Sequence, residues 1–311
     1  MTADLLCMGE PMLEFNQLPR QPDGAQQYLE GHGGDTSNAA VAAARQGARV
    51  GMITGLGRDM PGDSFINLWM REGIDTSTVT RTDQYLTGVY FVTHDGTGHQ
   101  FLHYRANSAA SMFGPEDVPV DTIARAKMLY LSGISQGIST RACDAAFAAI
   151  DAARRAGVAV AYDTNYRPRL WPPRRAAAVM RAAMENVDYA LPGLEDVTVL
   201  TGLIDPDAIL DYYLRLGPKI VVLKMGTAGA YLASETARVK IPAFPVTAVD
   251  ATGAGDTFCG AFLARILAGE SPEAAARYAS VAAALKCMGY GAVAPIPRAE
   301  QVRTALAGWS D

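Results

Sequence analysis

Val249-Asp-Ala-Thr-Gly-Ala-Gly-Asp-Thr-Phe258 runs straight into Cys259-Gly-Ala-Phe-Leu-Ala-Arg-Ile-Leu267, an apolar helical stretch. The small residues Gly253, Ala254 and Gly255 let a backbone approach a ligand closely and aim successive N–H groups outward. A helix starting there adds the positive end of its dipole, so the turn suits an anion, including a phosphoryl group in transfer. An aspartate at that mouth would ordinarily cap the helix. A carboxylate set beside an anion site makes chemical sense if Asp256 accepts a proton from an attacking hydroxyl. The N–H groups of Gly253, Ala254 and Gly255 would then hold the transferring charge as an anion hole.

Working outward, apolar strand-like runs alternate with Ala-rich helical stretches. That rhythm predicts an α/β fold, a central and mostly parallel sheet flanked by helices. Strands are expected at 5–8, 50–54, 128–131, 158–162, 189–191 and 220–223. Helices are expected at 38–46, 65–72, 141–156, 176–186, 254–268, 273–286 and 299–306. Two places break the rhythm. Residues 13–31 show β-like segments around a turn at 22–24. Residues 85–107 contain Thr87-Gly-Val-Tyr-Phe-Val-Thr93, a Gly-containing turn at 95–98, and Gln100-Phe-Leu-His-Tyr-Arg105, the pattern of a hairpin. Together they predict a small β-sheet lid inserted in one domain spanning 1–311.

Bulk properties exclude several classes. The 311 residues are 49% hydrophobic and carry a net charge of −5, which speaks against a nucleic-acid groove or an anionic membrane surface. Cys7, Cys143, Cys259 and Cys287 show no metal or disulfide spacing, as expected of buried thiols in a reducing cytoplasm. No apolar run nears the ~20 residues that span a bilayer. Gly55-Leu-Gly-Arg-Asp-Met60 lacks the third glycine of a dinucleotide fingerprint, and no P-loop motif is present. His32, His94, His99 and His103 have no helical metal spacing and are expected to be solvated on the flap.

The Gly253-Ala-Gly-Asp256 motif, preceded by Asp250-Ala-Thr and paired with Gly33-Gly-Asp-Thr-Ser-Asn38 far upstream, resembles the two signatures of the ribokinase-like (PfkB) carbohydrate kinases. The order of parts matches over essentially the whole chain. The resemblance implies Asp256 as catalytic base and an ATP loop at Lys224-Met-Gly-Thr-Ala-Gly229, with Lys224, Gly226, Gly229, Asn165, Gly253 and Gly255 near the nucleotide. It also implies magnesium entering with ATP, with Asp196 of Gly193-Leu-Glu-Asp196 in its outer shell. That element departs from the family's N-x-x-E pattern at both ends. Asp250 and Thr252 lie where family members bind a monovalent ion, so a potassium requirement is left open.

Several stretches resemble the 2-keto-3-deoxygluconate kinases within that family: Gly9-Glu-Pro-Met-Leu-Glu14, Tyr104-Arg105 with Ser108-Ala-Ala-Ser111, Leu131-Ser-Gly-Ile134, Asp163-Thr-Asn-Tyr-Arg-Pro-Arg-Leu-Trp171 and Gly291-Ala-Val-Ala-Pro295. A sugar acid carries a carboxylate, and arginine meets a carboxylate bidentately. Arg105 on the hairpin and Arg167 after a strand end are therefore expected to hold it. Gly34, Asn38, Tyr90, Tyr104 and Ile134 are expected to line the rest of the substrate site. Kinases for ribose, fructose or another deoxy-keto-gluconate isomer remain as alternatives, as does a non-catalytic sugar-acid sensor. The apolar flap strands suggest a homo-oligomer formed through the lid.

Overall fold

The computed structural model describes residues 3–21, 23–95 and 98–309, without the side chains of residues 94, 95, 98 and 99. The strand Leu5–Met8, buried throughout, lies inside the large sheet and pairs in parallel with Val50–Gly57 on one side and Met128–Ser132 on the other. Such runs, apolar on both faces, are what a parallel sheet covered by helices requires. The sheet continues in parallel through Ala159–Asp163, Tyr189–Ala190 and Ile220–Lys224. It ends with Ala230–Ser234 and Arg238–Ile241 added antiparallel, and with Val79–Thr82 at the opposite edge, making nine strands.

The helices close where local chemistry allows. Thr140–Ala156 opens on Ser139, whose hydroxyl accepts the Ala142 N–H at 2.9 Å, and stops at Gly157 in the left-handed region. Pro206–Leu216 is capped by Asp205 with proline in its first turn. That helix, Leu194–Thr201 and the strands Val79–Thr82, Ala230–Ser234 and Arg238–Ile241 lie outside the sequence expectation. The strands at the two edges, Val79–Thr82 and Arg238–Ile241, are short and partly exposed and carry little periodicity, and pairing with their neighbours decides them.

The segments near 13–31 and 85–107 form a second, four-stranded sheet in the order Tyr28–Gly33, Met12–Gln17, Gly88–Asp95, Gly98–Tyr104. Of the expected hairpin turn, residues 96 and 97 lie outside the described residues. Alternation gives this sheet two unlike faces. Register places Glu14 beside Tyr90 and Tyr90 beside His103 on one face. The other face gathers Phe15, Tyr28, Phe91 and Tyr104, with Phe15 and Phe91 stacked at 5.2 Å. This outer face is partly bare, with Tyr104 59% and Leu102 54% exposed.

Two helices fix the geometry that matters below. Asp35–Arg45 presents Ala39, Ala40, Ala42 and Ala43, all buried, and Ala254–Leu267 presents Cys259, Gly260, Ala261 and Ala264. A Cβ on Gly260 would stand 2.2 Å from the Ala39 carbonyl oxygen and 2.8 Å from the Ala42 Cβ. The helices therefore approach as closely as backbones allow. Gly260→Leu is expected to cost about 1–3 kcal/mol by overpacking, read as a lower midpoint in urea unfolding. It should cut turnover as well, because the displaced interface carries the contact described next; unchanged stability and turnover would refute this account of the packing.

Candidate active site

The first turn of each of those helices faces the other. Asn38 Nδ2 donates to Asp256 Oδ2 at 2.8 Å, joining residues far apart in the chain. The helix begins at Asp35, three residues before the expected start at 38, so Asn38 is inside its first turn and does not cap it. Asn38 Oδ1 is buried and has no partner among the described residues, a free acceptor beside the carboxylate.

Gly253 takes φ 76, the left-handed region open to glycine, and starts the helix that carries Asp256. Of the turn expected to hold an anion, Ala254 spends its N–H on the Ala251 carbonyl at 3.0 Å, and Thr257 spends its own on Gly253 at 2.9 Å. The N–H groups of Gly255 and Asp256 have no backbone partner among the described residues. The Gly253 N–H has none either, so of the three expected donors only Ala254 is spent, and Asp256 adds a further open N–H. Lys224, at the end of its strand, brings Nζ within 3.7 Å of where a Gly255 Cβ would stand, so its ammonium flanks that turn. Nζ is paired with Asp163 Oδ2 at 2.5 Å. Burial works against this ammonium, but the Asp163 carboxylate outweighs it and raises the Lys224 pKa.

Carboxylates crowd the cleft. Asp35 is buried, accepts from the Ser132 hydroxyl and from Asn165 Nδ2 at 3.0 Å, and leaves Oδ1 without a described partner. Burial raises its pKa, and Asp163 adds to the rise. Asp256 is pushed up to about 7, by burial first, then by the field of Asp35, against the Asn38 hydrogen bond that lowers it. A carboxyl poised near neutrality is suited to taking a proton. Asp196 stands in the first turn of Leu194–Thr201 and accepts from Thr164 Oγ1 at 3.0 Å. Its pKa is raised by burial and by Asp163.

Arg105 donates to Glu10, whose carboxylate is wholly buried and also accepts from Ser108 Oγ at 2.7 Å. Part of the Arg105 fork is therefore already engaged, while its Nε has no described partner. Arg167 is exposed, yet it acts on Asp35 and Asp256 electrostatically. Arg169 donates to the Phe101 carbonyl at 2.6 Å, tying the small sheet to the core. His103 stacks on Tyr90 at 5.6 Å. Shielding of its ring, then the field of Arg105, Arg169 and Arg167, pushes its pKa down to about 4. Three guanidinium groups thus act on this one imidazole.

The remaining expectations divide. Tyr90 lies on the inner face, with its hydroxyl donated to Glu14. Tyr104 pairs opposite Val89 and contacts Phe91 on the outer face, so the structure does not bring it to the others. Gly34 has no room for a side chain, since a Cβ would meet the Glu10 carbonyl oxygen at 2.3 Å. Ile134 gives its N–H to Ser132 Oγ at 3.1 Å, leaving only its side chain for a ligand. Asn165, at φ 31, turns its amide toward Asp35. Gly226 and Gly229 flank the turn after Lys224. Asp35, Asp163, Glu10 and His103 are absent from the expected set. Asp35 was legible as the aspartate after a glycine pair, and His103 as the residue two before Arg105.

The family model described as "pfkB family carbohydrate kinase" matches residues 2–299. A Dickeya dadantii (strain 3937) protein named 2-dehydro-3-deoxygluconokinase is 35% identical, over 95% of this chain and 98% of that one. A Thermoproteus tenax protein of the same name is 33% identical, over 97% of this chain and 94% of its own. Among solved structures, a PfkB protein from Polaromonas sp. JS666 superposes with a TM-score of 0.88 at 29% identity, covering 97% of this chain and 99% of that one.

Because the Asn38 hydrogen bond favours the ionised form of Asp256, Asn38→Ala should move the carboxyl's titration above 7 by an amount readable in a 13C NMR pH titration. An unmoved or lowered value would show that the amide does not act on this carboxyl.

Proposed function

The chain belongs to the pfkB family of carbohydrate kinases, and on that premise we propose that it transfers the γ-phosphoryl group of ATP to the 6-hydroxyl of 2-keto-3-deoxygluconate. The product is 2-keto-3-deoxy-6-phosphogluconate. The observation that carries this reading is the pair of arginines at the small sheet, Arg105 held on Glu10 and Arg169 on the Phe101 carbonyl, with the field of Arg167 reaching both His103 and Asp256. A neutral sugar gives such a cluster nothing to bind, whereas a carboxylate at the far end of a sugar acid does.

In this reading Asp256 accepts the proton of the 6-hydroxyl as its oxygen attacks the γ-phosphorus, and the bond from that phosphorus to the β,γ-bridging oxygen breaks to release ADP. Asn38 holds the carboxylate at the attacking oxygen. The free N–H groups of Gly255 and Asp256 and the ammonium of Lys224 meet the charge that spreads over the transferring oxygens. Arg105, pre-oriented by Glu10, and Arg167 take the substrate carboxylate; Gly34, Ile134 and Tyr90 form walls. The oxygen donors Asp163 and Asp196 suit a hard cation beside Lys224, and magnesium bound there would neutralise charge between phosphates. The small sheet acts as a lid, bringing Arg105 and Tyr90 over the core and excluding water.

A coupled ADP-release assay tests base and substrate together. With MgATP, 2-keto-3-deoxygluconate should exceed ribose and fructose by ~100-fold in kcat/KM, about 2.7 kcal/mol, and its galacto epimer is offered beside it to read the epimer preference. Asp256→Asn should lower kcat ~10²–10⁴-fold with sugar affinity nearly kept. Arg105→Ala and Arg167→Ala should each raise the sugar-acid KM roughly 10–100-fold, the worth of a charged hydrogen bond. Faster turnover of ribose or fructose would sink the sugar-acid reading, and full activity of Asp256→Asn would sink the mechanism.

We also place a second copy of the chain on the bare aromatic face of the lid, which would cover Phe91, Leu102 and Tyr104. Sedimentation should then report a dimer that Leu102→Lys dissociates; a monomer at every concentration would remove the proposal.

A further inference from the structure

Lys286 closes the helix Pro272–Lys286 and is 0% exposed. Lysine is almost never buried so completely unless something answers its charge. Its Nζ donates at 2.7 Å to the main-chain carbonyl of Asp250, three residues before the turn that starts the Asp256 helix. The strip around that carbonyl is tightly laced. Asp250 Oδ1 accepts the Thr252 N–H and Oδ2 the Gly291 N–H, both at 2.8 Å. Val249 and Asp250 give their own N–H groups to the Cys287 carbonyl at 2.7 and 3.1 Å. No carboxylate bonds the ammonium directly among the described side-chain contacts. Burial lowers the Lys286 pKa, and the negative fields of Asp250, Asp256 and Glu14 work against that loss of charge.

A main-chain carbonyl beside a loop-capping carboxylate is the kind of donor set that holds a monovalent cation. Here that carbonyl already faces a positive charge carried on the chain, and a second cation at the same oxygen would meet a like charge in a water-poor place. The residues around Asp250 and Thr252 therefore do not fit a potassium ion. An ammonium group is close to potassium in size and charge, and it can do the same two things. It draws the Asp250 carbonyl inward, fixing the path of residues 250–253, and it offsets the carboxylates beneath the anion-holding turn.

We infer that Lys286 is a built-in cation, a positioning residue that takes the place of a bound monovalent ion under the Gly253 turn and makes the reaction independent of potassium. The inference rests on the kinase reading above for its kinetic arm only.

The test compares the full chain in potassium chloride and in choline chloride at equal ionic strength. The thermal midpoint of the protein alone should be the same in both, and so should kcat/KM for whichever sugar it turns over. Lys286→Ala should lose ~10-fold or more in kcat with little change in sugar KM, and potassium or ammonium chloride, but not choline chloride, should restore part of it. A wild-type midpoint that rises specifically with potassium, or turnover raised several-fold by it, would overturn the inference. So would a Lys286→Ala enzyme that keeps its rate, or one that loses it and answers to neither ion. Should that variant fail to fold, Lys286→Met keeps most of the buried stem, and the wild-type salt comparison decides without any variant. If no sugar is phosphorylated, the function fails while the midpoint comparison still reads the cation site.

Discussion

Gly260 against the Ala39 carbonyl is the contact from which the rest of the active site takes its shape. Two helices that carry alanine, glycine and cysteine on their facing sides approach until one backbone touches the other, and only there do their first turns meet. Asn38 and Asp256 come from opposite ends of the sequence, and the 2.8 Å bond between them exists because no larger side chain separates the helices. Helix interfaces usually gain stability from large apolar side chains. This one gives up part of that gain for closeness, and the wider core supplies the stability through the fully buried aromatic and aliphatic residues around Trp69, Tyr130 and Phe262.

The same cleft holds an excess of buried negative charge. Asp35, Asp163 and Asp256 lie near one another, and their mutual field with burial raises the pKa values of Asp35 and Asp256. Lys224 answers Asp163, and Asn38 and Asn165 offer neutral donors to the other two. Among the described residues Asp35 Oδ1 and Asn38 Oδ1 are buried oxygens left without a donor. Such under-satisfaction costs folding energy. It is tolerable where a hydroxyl-bearing ligand supplies the missing donors, which suits a polyhydroxylated substrate. The arginine edge reverses the sign a short distance away, so one small molecule with a hydroxyl at one end and a carboxylate at the other matches the field along its length.

Much of the fold was readable because it is written in local patterns. The strands Leu5–Met8, Met128–Ser132 and Ala159–Asp163 fall within a residue or so of expectation, since a doubly covered parallel strand must be apolar throughout. The helix Ala254–Leu267 and its glycine start are likewise visible in one decapeptide. Strands at the sheet edges and the capped helix at Pro206 were not expected, because half-buried edges carry a weak signal and pairing, not pattern, defines them. At the site, Asp256, Asn38, Lys224 and the two arginines were nameable from motif and chemistry. Their partners were not: Glu10 on Arg105 and Asp163 on Lys224 are matters of which side chains the fold sets face to face.

By itself the sequence determined the α/β class, the Gly-rich helix start with its aspartate, the two-part small sheet and the family to which the chain belongs, since each rests on spacing within a short window. Only the tertiary structure decided which N–H groups of the turn remain open, that Tyr104 turns away from Tyr90, and that the Lys286 ammonium ends on the Asp250 carbonyl. A hydrogen bond is spent or free according to what lies within about 3 Å of it, and a strand residue faces in or out by the register of its neighbours. Neither is a property of the residue; both belong to the packing that surrounds it.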